Sequence, residues 1–307
     1  MSEHGQSYIV FEVGGDIARN IMGTAVTASL KKAYPERDIV VVTFFPEIWM
    51  HNPDIFRVHK LGTLTYFYDE YIKGKDTLIF RHDPASTSDF LYDRKHFIDI
   101  WCDLCGVPRA KSMPSLHFTW REKEAVGKLT ASPKPLFLIH ATSSMAQVAN
   151  AYNWQKDIPI PVAEAVVRHM NERGYASVQL REANQPALAG TLSVELPLRQ
   201  KLCALSYSTK RLFIDSHYLQ AATALDLPSV AAYVTGSPAV TGAPIHTPIA
   251  AFSHLWDKEK KQHADFIRFV ESYKEGYDIT GTKSGCPFPL DPLFSAEALI
   301  KALETES

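Results

Sequence analysis

The chain has 307 residues, of which 46% are hydrophobic and 21% are charged, and its formal net charge at pH 7 is -2. A chain of this length usually exceeds a single hydrophobic core, so two globular domains are expected. The charge balance excludes a positive potential over the whole surface. Nucleic acid or an anionic membrane could therefore bind only at a local basic patch. Lys31 with Lys32, and the run at residues 258–261, are such patches, although runs of this kind are usually solvated helix faces.

The sequence contains neither a membrane segment nor a disulfide framework. No stretch reaches the roughly 18 consecutive apolar residues of a membrane helix, and the N-terminus lacks the basic start of a secretory signal. We therefore expect a cytoplasmic protein. The four cysteines are too few for a disulfide scaffold. Cys102 and Cys105 have no second pair to complete a zinc site and precede Gly106 at a predicted helix end, which favours a packing role.

The first predicted strand and helix meet at a turn of small and polar residues. Residues 7–13 form an apolar run, and apolar residues then recur at helical spacing over residues 17–33. Gly14 and Gly15 between them allow a tight turn close to a ligand, and Asp16 lies where a helix N-terminus stabilises negative charge. An N-cap is the other interpretation of Asp16. A dinucleotide fingerprint fits poorly, because the spaced third glycine is missing.

Strands and helices continue to alternate through the first half. Residues 39–45 and 77–80 are predicted strands, and residues 88–104 are a predicted helix. This alternation is typical of parallel βαβ units.

A polar cluster of Arg81, His82 and Asp83 follows the strand at 77–80. Open α/β sheets hold ligands at the carboxyl ends of their strands, and a cation beside an imidazole and a carboxylate can bind sugar hydroxyls or a phosphate. A capped turn before Pro84, with Asp83 bonded to the backbone, is the alternative.

The best linker candidate is the proline-broken run at residues 127–135, which divides the chain into predicted domains of residues 1–130 and 131–307. The second half repeats the α/β pattern, so two Rossmann-like domains are expected. Its predicted strands are 136–140, 177–180, 211–214 and 229–234, and its predicted helices are 163–173, 198–207, 220–225 and 295–303. We expect the last helix to pack back on the first domain.

A second strand-to-helix corner follows the strand at 211–214. Asp215, Ser216 and His217 stand between this strand and a helical pattern that contains Gln220. The two corners lead us to expect a ligand held between them.

Several segments resemble the heptosyltransferase-like glycosyltransferases of the GT-B fold. Residues 8–43, with their Gly-Gly-Asp turn, resemble the opening of the family, and residues 44–58 continue it. Residues 139–143 resemble the strand and loop on the donor side, Trp154 the tryptophan that follows, and residues 213–230 the segment that closes over the nucleotide. The resemblance extends over both halves of the chain in the same order.

The resemblance implies two Rossmann-like domains facing each other across a cleft, and an enzyme that transfers a sugar from a nucleotide-sugar to an acceptor hydroxyl. It implies neither a metal ion nor a cofactor, since the nucleotide-sugar is a co-substrate. Asp16 corresponds to the presumed general base of the family, a role that needs a carboxylate within about 3 Å of the attacking hydroxyl. The predicted acceptor-binding residues are Gly14, Gly15, Arg81, His82 and Asp83.

The departing diphosphate needs hydrogen-bond donors, which loop amides, hydroxyls and the helix N-terminus after Ser216 can supply. The predicted donor-binding residues are His140, Thr142, Ser143, Lys156, Arg181, Asp215, Ser216, His217 and Gln220.

The chain departs from the family on this donor side. His217 and Gln220 replace a glycine and a histidine, and Tyr152 stands where a basic residue is expected. Lys156 or Arg181 would restore the positive charge, unless they are ordinary surface residues. His217 either contacts phosphate or hydrogen-bonds within the corner.

Two acceptor classes are open at this point. Family membership suggests a bacterial saccharide. A hydroxymethylated pyrimidine in phage DNA would require a basic surface and an extruded base. The alternative to an enzyme is a GT-B-like module that binds a nucleotide or a glycan without turnover.

Overall fold

The chain divides into two compact units, Met1–Glu124 with Thr223–Leu225, and Ala125–Ala222 with Asp226–Ser307. The structure is a computed structural model that describes residues 6–110, 113–143, 156–182, 185–193, 195–234, 236–251 and 294–305. Each unit is built on one parallel sheet. The predicted α/β class is therefore confirmed. Among the described residues, no helix is both long and apolar enough to span a bilayer.

Unit 1 contains a four-stranded parallel sheet in the order β3-β2-β1-β4. The strands are β1 (Ser7–Val13), β2 (Asp38–Thr43), β3 (Arg57–Lys60) and β4 (Asp76–Phe80). The helices are α1 (Ile17–Ala33), α2 (Phe67–Tyr71), α3 (Ser88–Leu91), α4 (Phe97–Leu104) and α5 (Trp120–Leu129), the last of which contains the boundary between the units. The central strands β1 and β2 are rich in buried β-branched residues, as expected for a parallel sheet covered on both faces.

The prediction of one helix over residues 88–104 was wrong. Two helices occupy this segment, and Asp93 between them has a positive φ of 49°. Each helix has its own N-cap: the Thr87 hydroxyl accepts from Phe90 N, and the His96 ring accepts from Ile98 N. A side chain that caps the backbone in this way favours a helix start over a helix interior.

Helix α4 places Cys102 and Cys105 in the interior of unit 1. Both thiols are buried, and burial raises the pKa of each, for Cys105 to about 12. A thiol in this environment is unreactive, because the thiolate is the nucleophile and the metal ligand.

Unit 2 contains a six-stranded parallel sheet in the order β10-β9-β8-β5-β6-β7. Its strands are β5 (Leu136–His140), β6 (Ala176–Gln179), β7 (Leu192–Ser193), β8 (Lys210–Ile214), β9 (Val230–Tyr233) and β10 (Thr247–Ala250). Its other helices are α6 (Ile160–Glu172), α7 (Leu198–Ala204), α8 (His217–Ala224), α9 (Pro238–Thr241) and α10 (Ala296–Thr305). Counted from β5, this order is the Rossmann order 3-2-1-4-5-6.

Two local predictions need correction in unit 2. Residues 127–129, predicted as linker, form the last turn of α5. The last helix, predicted to pack on the first domain, buries Leu299, Ala302 and Leu303 in the core that β5 and β8 form in unit 2. Its apolar face matches that core, and no local pattern in the sequence identifies which core a helix covers.

Candidate functional site

The sheet of unit 1 has a topological switch point between β1 and β4. After β1 the chain continues to β2, which pairs with one side of β1, while β4 pairs with the other side. The strand order therefore reverses between β1 and β4. Gly14, Gly15 and Asp16 follow β1, and Arg81 to Asp83 follow β4. The predicted base and the predicted acceptor cluster therefore lie at one edge of one sheet.

Asp16 is the N-cap of α1. Its Oδ1 accepts a hydrogen bond from Arg19 N at 2.9 Å, and the residue is exposed. Gly15 before it has a φ of 84°, and a Cβ there would lie 2.5 Å from Cδ of Arg19. The positive φ thus favours glycine at position 15, and any side chain there would also displace the Arg19 side chain from its present position.

Arg19 connects the two sides of the switch point. Its Nη1 donates to Oδ1 of Asp83 at 3.0 Å, and the two side chains are 31% and 50% exposed. Asp83 is held in turn by Ala85 N at 3.0 Å and by the Ser86 hydroxyl at 3.2 Å. Sequence reasoning did not identify Arg19, although its place one turn into α1, beside the Asp16 cap, was a usable signal.

The other two members of the β4 cluster are exposed. Arg81 forms an ion pair with Glu12, with Nε 3.0 Å from Oε1. The ring of His82 lies 6.3 Å from the ring of Phe80. The capped turn at Asp83 that the sequence suggested is present, because Asp83 caps a 3-10 helix at Pro84–Ser86.

A buried hydrogen-bond network holds the backbone of the Asp16 turn in place. The Asn20 amide donates from Nδ2 to the Asp16 carbonyl at 2.9 Å. Its Oδ1 accepts from the Thr43 hydroxyl, and also from the indole Nε1 of Trp49 at 3.0 Å. Both Asn20 and Thr43 are fully buried. A buried polar network with its members paired makes the local structure rigid.

The sheet of unit 2 has its switch point between β5 and β8. His140 is the last residue of β5, and Ser216 follows β8 at the start of α8. Nδ1 of His140 lies 3.0 Å from the Ser216 hydroxyl. The two predicted donor-side segments are therefore in direct contact.

An aromatic cluster surrounds this contact. The His140 ring lies 4.8 Å from the Tyr218 ring and 5.8 Å from the His217 ring, and the rings of His217 and Tyr218 are 4.1 Å apart. Burial lowers the pKa of His140 well below its ordinary range, with smaller effects from the charges of His217 and Lys201. His140 is therefore neutral at pH 7, and its imidazole can both donate and accept a hydrogen bond.

Thr142, in the loop after β5, has a buried hydroxyl with a vacant hydrogen-bonding position. The residue is 2% exposed, and its Oγ1 has no partner among the described residues. Its carbonyl accepts from Nε2 of Gln185 at 3.0 Å, which fixes the loop. Ser143 beside it donates its backbone N–H to Asp157 at 2.6 Å. A buried polar group without a partner is costly, so the Thr142 hydroxyl is a candidate ligand contact.

The remaining predicted donor residues mostly contact the protein itself. Arg181 donates to the Gln185 carbonyl at 2.9 Å, and Gln220 donates to the Thr241 carbonyl at 2.7 Å. Asp215 accepts from the Thr241 hydroxyl at 3.1 Å. Lys156 is exposed. Trp154 and Tyr152 lie outside the described residues.

Lys201 is a buried cation that sequence reasoning missed. Its side chain is 9% exposed, and Nζ lies 3.0 Å from Oε1 of Glu182 and 3.3 Å from the Arg181 carbonyl. A lysine within a helical run is usually solvated, so the sequence carried no signal for this position. Within the described part of the chain, no group of three or more His, Cys, Asp or Glu side chains is placed to hold a metal ion.

Solved structures of glycosyltransferases are similar to this chain over most of its length. A family 9 glycosyltransferase from Veillonella parvula is 15% identical with a TM-score of 0.63, and the match covers 98% of this chain and 97% of that one. The ADP-heptose lipopolysaccharide heptosyltransferase II of E. coli is 14% identical with a TM-score of 0.58, over 86% and 99% of the two chains. This chain has the heptosyltransferase fold.

A third similar structure was solved with a donor. It is the dodecameric, iron-containing heptosyltransferase TibC of enterotoxigenic E. coli in complex with ADP-D-beta-D-heptose. It is 13% identical with a TM-score of 0.56, over 81% of this chain and 63% of that one. No protein-family profile and no curated protein sequence matches the chain. At these identities the similarity shows the GT-B type of fold, two Rossmann-like units, and the activity is argued from the sites.

Proposed function

We propose that this protein is a glycosyltransferase that moves a sugar from a nucleoside diphosphate sugar to a saccharide hydroxyl, without a metal ion. The observation that carries the proposal is the contact of His140 with Ser216 at 3.0 Å across the switch point of the six-stranded sheet. In open α/β sheets this crevice is where nucleotides bind. The fold similarity to nucleotide-sugar enzymes supports the same conclusion.

In this proposal unit 2 binds the donor. The diphosphate lies at the N-terminus of α8, where the Ser216 and His217 side chains and the positive end of the helix dipole favour negative charge. The Thr142 hydroxyl, which has no partner among the described residues, supplies a further hydrogen bond. These neutral donors and the helix dipole stabilise the departing diphosphate, which is the role a metal ion plays in other transferases.

Asp16 of unit 1 acts as the general base in the same proposal. Its Oδ1 is engaged by Arg19 N, whereas Oδ2 accepts no bond from the described residues, and the side chain is exposed. The carboxylate can thus receive the proton of the acceptor hydroxyl while Oδ1 continues to cap α1. Arg81, His82 and Asp83, across the switch point, would bind other hydroxyls of the acceptor.

A thermal-shift screen of nucleoside diphosphates and nucleotide-sugars, with ADP and ADP-sugars among them, tests the donor site. A ligand at 100 times its dissociation constant is expected to stabilise the protein by about 2.7 kcal/mol. Ser216→Ala should weaken binding by about 0.5–1.5 kcal/mol, because it removes one neutral hydrogen bond. Ser132→Ala, on an exposed turn before β5, is the matched control and should bind as the wild type does.

Three outcomes would contradict parts of the proposal. If no nucleotide raises the melting temperature, the donor site is wrong. If a donor binds but neither transfer nor donor hydrolysis occurs, the protein is a binding module. If EDTA abolishes transfer and a divalent metal restores it, the metal-independent mechanism is wrong.

A further inference from the structure

An exposed aromatic side chain stands beside the Asp16 turn of unit 1. Strand β2 is buried from Ile39 to Thr43, yet the next residue, Phe44, is 51% exposed. Val13 of β1 pairs in register with Thr43 of β2, so Gly14 and Phe44 leave the same edge of the sheet side by side. Adjacent strands are about 4.8 Å apart. Phe44 therefore starts one strand spacing from the turn that carries Asp16.

Hydrogen bonds fix the backbone next to Phe44 relative to that turn. Phe45 N donates to the Thr43 hydroxyl at 3.1 Å, the hydroxyl bonds to Oδ1 of Asn20, and Nδ2 of Asn20 donates to the Asp16 carbonyl at 2.9 Å. The two linking side chains are fully buried. The position of Phe44 is thus tied to that of Asp16 through paired, buried groups rather than through a free loop.

The two flanks of the Asp16 turn differ in chemistry. Toward β4 lie the polar side chains of Arg19 and Asp83, and on the β2 side the strand is followed by the exposed residue Phe44. The space over Gly14 is open: apart from its two chain neighbours, the described residues place no heavy atom within 4 Å of the position a Cβ would take. This edge therefore offers charged groups on one side of the carboxylate and an apolar face on the other.

We propose that Phe44 is an acceptor-binding and specificity-determining residue, whose ring packs against a face of the sugar that Asp16 deprotonates. This inference rests on the proposed function. A pyranose has hydroxyls at its rim and C–H groups on its faces, and the negative face of an aromatic ring attracts such C–H groups. Arg19 and Asp83 on the opposite flank would hydrogen-bond the rim.

The observations favour a saccharide over a DNA base as the partner of this ring. An extruded base is bound in a pocket that covers both of its faces, and the flanking phosphates need a basic surface. Phe44 is half exposed at an open edge, and the chain has a net charge of -2. An aromatic ring that is open on one side can pack against one face of a sugar ring.

Phe56 provides a matched control. It has the same side chain on the same sheet, and it is 52% exposed. Its backbone N–H donates to the Ile39 carbonyl at 2.9 Å, and it directly precedes β3, so it lies at the amino edge. Phe44→Ala and Phe56→Ala thus remove equal side chains from opposite edges of one sheet.

The test is calorimetric titration of a panel of lipid-free core oligosaccharides, released from bacterial lipopolysaccharides by mild acid, with ADP present. We expect Phe44→Ala to weaken the affinity for the best-bound oligosaccharide about 10-fold, as for loss of an aromatic contact and its buried area. Phe44→Tyr should restore it, and Phe56→Ala should bind as the wild type does. Melting temperatures of all variants check that they fold.

Unchanged affinity of Phe44→Ala overturns the inference, as does an equal loss in Phe56→Ala or the absence of oligosaccharide binding by the wild type. Binding of a single-stranded oligonucleotide containing 5-hydroxymethylcytosine that depends on Phe44 would assign the ring to a base instead. Failure of the proposed function is distinguishable, because then no nucleoside diphosphate or nucleotide-sugar in the thermal-shift screen would raise the melting temperature of the wild type.

Discussion

At the scale of single residues, Asp16 caps a helix through one carboxylate oxygen, and the proposed role as base would use the other. Oδ1 caps α1 through Arg19 N, and Oδ2 is left for chemistry. Both interpretations of this aspartate from the sequence are thus compatible with one geometry. A substitution that keeps the cap and removes the base separates them.

Asp16→Asn is that substitution. Asparagine caps a helix about as well as aspartate, so stability and donor binding should be retained. Transfer should fall by about 10²–10⁴-fold, because an amide cannot accept the proton. The measurement is the initial rate at saturating donor with a bound acceptor. Near-normal transfer by a folded Asp16→Asn protein would exclude Asp16 as the base and make His82 and Asp83 the next candidates.

Arg19 should matter more for activity than for stability. An exposed ion pair contributes about 0.2–1 kcal/mol to stability, so Arg19→Met should change the free energy of unfolding little. Because Arg19 lies over Gly15 and holds Asp83, its loss should misplace the turn and lower kcat/KM about 10- to 100-fold.

A double-mutant cycle with Asp83→Asn measures this coupling. The double variant should be little worse than the worse single variant, because each substitution removes the same ion pair. Lys73→Met breaks a comparable exposed pair with Asp69 on α2 and serves as the control. Strictly additive losses in kcat/KM would contradict a positioning role for the Arg19–Asp83 pair.

At the scale of secondary-structure elements, Asn20 joins α1 to β2. Asn20→Leu would leave the buried Thr43 hydroxyl proton and the buried Trp49 indole N–H without this acceptor, while the Asp16 carbonyl keeps its bond from the backbone N–H of residue 20. We expect the free energy of unfolding to fall by about 3 kcal/mol or more, at roughly 1–3 kcal/mol for each buried group left unpaired. Urea unfolding followed by tryptophan fluorescence measures it.

Asn52→Ala is the control for this prediction. Asn52 is also buried, but its Oδ1 accepts only one hydrogen bond within the described structure, from Asp54 N at 3.0 Å. Its loss should lower the free energy of unfolding by about 1 kcal/mol. Equal effects of the two substitutions would mean that the Asn20 network contributes nothing beyond a single bond.

Elements differed in how well local patterns predicted them. The runs at 7–13 and 136–140 correspond to β1 and β5 within the bounds expected, because buried parallel strands are nearly continuous in apolar residues. The helix predicted at 88–104 was wrong, since its interior contains the N-cap residue His96 and a left-handed Asp93. The edge strand β3, Arg57–Lys60, has Val58 as its one apolar residue among four positions and was not predicted.

At the scale of the whole molecule, buried histidines make stability depend on pH. His246 is 7% exposed, and burial, with a smaller effect from Arg211, lowers its pKa to about 4. The unfolded chain has an ordinary histidine pKa near 6.5, so it binds more protons than the folded protein between pH 6.5 and 4. Stability is therefore full above pH 6.5 and is lost as the pH falls. His140 contributes with the same sign.

His246→Gln tests this dependence. From pH 7.5 to 5.5 the wild type should lose about 1.3 kcal/mol through His246 alone, as follows from proton linkage. The variant should lose correspondingly less over the same interval, measured by urea unfolding at both pH values. The same loss in both proteins would show that His246 is not held neutral by burial.

The sequence by itself determined the α/β class, most of the strands, and the chemistry at the two strand-to-helix corners, because these depend on local periodicity and on residue type. Only the tertiary structure decided which strand ends lie beside each other. Arg19 reaches Asp83, 64 residues away, and His140 reaches Ser216, 76 residues away. Strand order and register bring them together, and these are set by packing between distant segments, which no local pattern encodes. The same reason explains why Phe44, one of many apolar residues in the sequence, became recognisable as an acceptor contact only beside the Asp16 turn.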